Sequence, residues 1–81
     1  MIRYIPVRDS LSASVKEERT FSTKDDLMSF LLEKTALFFQ YIGKDVLPKI
    51  TFGDSSECRM IGWKECCSII LDGRTIGFCG E

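Results

Sequence analysis

Residues 21–43, FSTKDDLMSFLLEKTALFFQYIG, carry the strongest pattern in the chain, with apolar side chains recurring at the period of an α-helix. Ser22 or Thr23, followed three residues later by Asp25 or Asp26, supplies a capping-box-like start, and Gly43 supplies the stop. At about 100° per residue, Asp25, Asp26, Ser29, Glu33, Ala36 and Gln40 fall on one narrow face. Leu27, Met28, Phe30, Leu31, Leu32, Leu37, Phe38, Phe39, Tyr41 and Ile42 cover an arc of roughly 220°, broken by Lys34 and Thr35, where a surface helix needs little more than about 100°. A sheet packed against Leu27, Leu31 and Phe38 leaves Met28, Leu32 and Phe39 at the edge of that arc. Either the N-terminal hairpin covers this flank, through Val15 and Phe21, or a second chain does. Lys34 reads as a side chain whose stem lies on the apolar arc while its ammonium reaches water.

Shorter alternations flank the helix. IRYIPV, residues 2–7, reads as a strand that Pro6 confines to an edge or terminal position, because proline cannot donate to a ladder. RDSLSAS reads as a turn, and SVKEERTF alternates as a half-exposed strand, so residues 2–21 form a hairpin or a partly mobile arm. After the helix, KITFG, CRMIG, CCSIIL and RTIGFC read as four further strands. The expected fold class is α+β: one amphipathic helix packed on a mainly antiparallel sheet, in the order β-β-α-β-β-β-β, as one domain of 81 residues.

Asp72 and Gly73 give the clearest turn signal, since a two-residue type I′ hairpin needs positive φ at both central positions. A regular register from that turn pairs Leu71 with Arg74, Ile69 with Ile76, Cys67 with Phe78 and Cys66 with Cys79. Cys67, Ile69, Leu71, Ile76 and Phe78 then form the face toward the helix. Cys66, Ser68, Ile70, Thr75, Gly77 and Cys79 form the outer one.

Four cysteines and no histidine bear on chemistry. No Cys-x-x-Cys knuckle occurs, and two thiols fall on each side of the sheet, whereas a tetrahedral zinc site needs ligands that converge. No metal or other cofactor is therefore expected. Cys58 and Cys67 read as small core residues, and Cys66 with Cys79 as cross-strand neighbours that form either a reducible bridge or two reduced thiols. No apolar run is long enough for a signal-peptide core or a membrane span, so a cytoplasmic protein with reduced thiols is expected.

Charge adds little. Eleven basic and twelve acidic residues are dispersed along the chain, and no basic stripe or aromatic stacking pattern points to nucleic acid. Without histidine there is no Ser/His or Cys/His pair, and the glycines follow no phosphate-binding pattern.

CCSIILDGRTIGFCGE resembles the second and third strands of the GNAT acetyltransferase family, where a hairpin turning on Asp-Gly is followed by Ile or Val, Gly and Phe. IRYIPVR, a strand ahead of a helix, is similar in order. The acetyl-CoA-binding loop and helix that follow in that family have no counterpart in the sequence, so acetyl transfer of that kind is not expected.

The functional expectation is a small non-enzymatic interaction module, binding a protein partner or a second copy, with no membrane. Its candidate surface comprises Met28, Leu32 and Phe39 on the helix and Ser68, Thr75 and Gly77 on the outer sheet face. Weak binding of nucleic acid or a small ligand on that outer face is the alternative.

Overall fold

The computed structural model describes residues 1–7, 18–54 and 58–81. The expected strand residues before Glu18, Val15 among them, and most of the turn after Gly53 lie outside the described residues. The elements are β1 (Ile2–Pro6), β2 (Arg19–Phe21), α1 (Lys24–Tyr41), β3 (Ile50–Gly53), α2 (Cys58–Ile61), β4 (Cys67–Leu71) and β5 (Arg74–Gly80). The strands form one five-stranded antiparallel sheet in the order β2-β1-β5-β4-β3. This is the expected α+β class, with the long helix in its expected place.

Segment 58–62, read from sequence as a strand, is instead one helical turn. Cys58 and Ile61 are three residues apart, a spacing that puts them on one side of a helix turn. There they pack with Ile5 and Phe78 on the outer face of the sheet, and Trp63 and Cys66 join them. Arg3 lies on the same side, its Cζ 4.4 Å from the centre of the Trp63 ring and its guanidinium paired with Glu18 at 2.7 Å. The sheet thus has a second layer where the sequence suggested an open face.

The larger core lies on the other side, where Leu27 and Leu31 of α1 meet Tyr4, Ile50, Ile69 and Cys79. The N-terminal hairpin closes one flank: Phe21 lies 5.3 Å and Tyr4 6.2 Å from Phe30 between ring centres. Helix α1 begins where the Thr23 hydroxyl accepts a hydrogen bond from the Asp26 backbone N–H at 3.1 Å. It ends in a Schellman motif, with Gly43 N–H donating to Gln40 O and Lys44 N–H to Phe39 O.

The turn of the β4–β5 hairpin is the expected one, with Asp72 at φ 50° and Gly73 at φ 79°. Leu71 pairs with Arg74 and Ile70 with Thr75. One residue farther the register shifts, and Ile69 faces Gly77 rather than Ile76. Ile76 is the extra residue of a β-bulge, which inverts the faces of β5 beyond it. Phe78 therefore turns to the outer layer and Cys79 to the helix side. Gly77 accommodates this close passage of β5 past β1: a Cβ there would stand 2.8 Å from Tyr4 Cε1 and 2.9 Å from Ile5 O.

The contact line of α1 also departs from the wheel. Leu27, Leu31, Thr35 and Phe39 are the buried residues, four apart in sequence. Steps of four rotate by about 40° each, so the line has turned through about 120° by Phe39, whereas Phe38 is about 20° from Leu27. Phe39 is 5% exposed and Phe38 56%. Phe39 is buried apart from both core clusters. The Lys44 ammonium lies 4.5 Å from its ring centre and is held by Asp72 Oδ2 at 2.9 Å.

Candidate interaction surface

The twisted contact line leaves the end of α1 without a cover. Leu37, Phe38, Tyr41 and Ile42 on the helix end, with Val46 and Leu47 in the segment that follows, are all more than half exposed. Tyr41 and Leu47 reach 88% and 92%. Leu37, Val46 and Leu47 line one groove of about 520 Å³, into which Ala36, Gln40 and Pro48 also face. Together the six side chains expose on the order of 800 Å², taking roughly 200 Å² for each large side chain.

A second groove, of about 400 Å³, runs along the opposite flank of α1, where Phe30, Lys34, Thr35 and Phe38 face Tyr4, Pro6, Leu71 and Ile76. Arg19 of β2 also lines it. The Arg19 Cζ lies 4.9 Å and the Lys34 Nζ 5.8 Å from the centre of the Phe30 ring. All of its charged lining residues among those described are cationic.

The sequence-selected residues divide between core and surface. Phe39, Ser68 and Gly77 are buried, and Met28 is half-buried against the main core. Ser68 donates from Oγ to Gly53 O at 2.9 Å, which satisfies its hydroxyl inside the sheet. Thr75 is half-buried, and Leu32 is 37% exposed. These residues therefore do not assemble into one accessible surface. Phe38, which the wheel assigned to the sheet, belongs to the exposed one. Sequence did carry a signal for this surface: the apolar arc was too wide, and Val46 and Leu47 formed a short apolar pair outside any element.

The thiols are likewise regrouped. Cys79 faces Cys67, not Cys66, across the β4–β5 pair. Cys58 and Cys66 share the outer layer. All four are free. Burial, followed by the hydrogen bond with Cys58, pushes the Cys66 thiol up to about 12. Burial and then the nearby Cys67 push Cys79 up to about 11, against the opposing pull of Lys24. Neutral thiols are poor nucleophiles, so neither has the lowered pKa of an activated cysteine. Among the described residues, no group of three or more His, Cys, Asp or Glu could hold a metal ion, and no helix is long and apolar enough to cross a membrane.

No family model, known protein or solved structure matches this chain.

Proposed function

We propose that the protein is a small non-enzymatic interaction module of the cytoplasm, binding a protein partner or a second copy through the end of α1 and the segment after it. The observation that carries this reading is the exposure of Leu37, Phe38, Tyr41, Ile42, Val46 and Leu47 together. Their combined area, on the order of 800 Å², matches what one partner buries in a standard protein–protein interface. Tyr41 adds a feature typical of interface anchors, a large apolar ring that ends in a hydroxyl.

Nucleic-acid or small-ligand binding on the outer sheet face has less support, because the layer of α2 and Trp63 packs on that face and Ser68 is buried beneath it. The experiment is sedimentation equilibrium from micromolar to millimolar protein, alongside affinity capture of partners, with the wild type and a Tyr41→Ser/Leu47→Ser variant. Association or capture lost in the variant, with an unchanged melting temperature, supports the surface. A wild type that stays monomeric and captures the same proteins as the variant rules it out.

A further inference from the structure

The two grooves beside α1 differ in charge. Among the described residues, Arg19 and Lys34 are the only charged side chains that line the one holding Phe30 and Phe38. The described residues bring no carboxylate within ion-pair distance of either cation, and both instead lie near the Phe30 ring. This happens in a chain whose net charge is −1, so the positive character is local. Thr35 lines the same groove at 8% exposure.

We propose that this groove seats an acidic segment of a partner protein, with an aromatic or aliphatic side chain inserted against Phe30, Phe38 and Ile76 and flanking carboxylates on Arg19 and Lys34. The inference rests on the reading of the protein as an interaction module and specifies its partner's chemistry. Arg19 presents a planar fork that can hold a carboxylate through two hydrogen bonds, and Lys34 adds a point charge one helical turn from Phe30.

The test is selection from a random linear peptide display library on the immobilised full chain, followed by fluorescence anisotropy of the enriched peptides. The expected result is enrichment of peptides that combine Asp or Glu with Phe, Trp or Leu. Their affinity should fall at least tenfold with Arg19→Glu/Lys34→Glu and weaken as salt rises. Both reversed positions are exposed, so the variant should fold, as an unchanged melting curve checks. Absence of enrichment overturns the proposal, as does enrichment of neutral or basic peptides, or equal binding to the charge-reversed chain. Peptides that ignore the reversal but lose affinity with Tyr41→Ser/Leu47→Ser would overturn the acidic groove and leave the broader reading standing.

Discussion

Cys79 lies directly across the sheet from Cys67, and the whole arrangement of thiols follows from that pairing. Ile76 is responsible: as the extra residue of the bulge it advances β5 by one position, which moves Cys79 out of register with Cys66 and under α1.

Oxidation reads this register chemically. Treatment with glutathione disulfide should link Cys67 to Cys79, with two glutathione molecules reduced for each bridge formed. Cross-strand partners have the Cβ separation that a disulfide can span, whereas Cys66 points to the opposite face. Mass mapping of Cys66→Ala and Cys67→Ala variants separates the adjacent cysteines. A Cys66–Cys79 bridge in the wild type would mean that the bulge is absent.

Alkaline pH should expose the burial of Cys79. Burial raises its thiol from 9.0 in the unfolded chain to about 11 in the folded one. Between those values the unfolded chain has released a proton that the folded chain retains, so stability falls as pH rises. Below 9.0 both states are protonated, and this residue contributes no slope. The loss by pH 11 should be on the order of 2 kcal/mol. Other groups also titrate there, so the measurement is the difference between wild type and Cys79→Ala in urea melts from pH 8 to 11. Parallel curves would show that Cys79 is accessible to water in the folded state.

Gly77→Ala should destabilise the protein by about 1–3 kcal/mol, as overpacking does in a closed interior. The new methyl would meet Tyr4 Cε1 at 2.8 Å, which a ring can yield to, but also Ile5 O at 2.9 Å, which is backbone in the neighbouring strand. Urea denaturation gives the value. A cost under about 0.5 kcal/mol, the range of an ordinary surface change, would mean that β1 and β5 are farther apart at this point.

Features set by local chemistry were legible in the sequence. Thr23 caps α1, Gly43 stops it, and Asp72 with Gly73 turns the last hairpin, each because a short stretch of backbone demands that residue type. Features set by packing between distant segments were not. Nothing near Ile76 marks a bulge until β1 is laid beside Gly77. The turn at Cys58–Ile61 becomes a helix because Ile5 and Phe78 offer it an apolar surface. The candidate surface suffered most, since exposure on α1 depends on the angle at which the helix crosses the sheet. An ideal wheel assumes a contact line parallel to the axis.

Phe38 and Phe39 give that last point its most direct test. A wheel aligned on Leu27 assigns Phe38 to the core and Phe39 to the surface, and the folded chain reverses both. Phe39→Ala should therefore cost about 3 kcal/mol, the lower end for a buried phenylalanine, because Lys44 and its loop can partly collapse onto the vacated space. Lys44→Ala should weaken the same cover by removing the cation from the ring and from Asp72. Its cost should stay below about 1 kcal/mol, since the Lys44–Asp72 pair is largely exposed. Phe38→Ala should change stability by no more than about 0.5 kcal/mol. If the exposed surface binds a partner, Phe38→Ala should instead weaken that association. Urea melts of the three variants decide the order. A Phe38→Ala chain less stable than Phe39→Ala would mean that α1 lies along the sheet as the wheel drew it, and the exposed apolar end, with the function argued from it, would have to be given up.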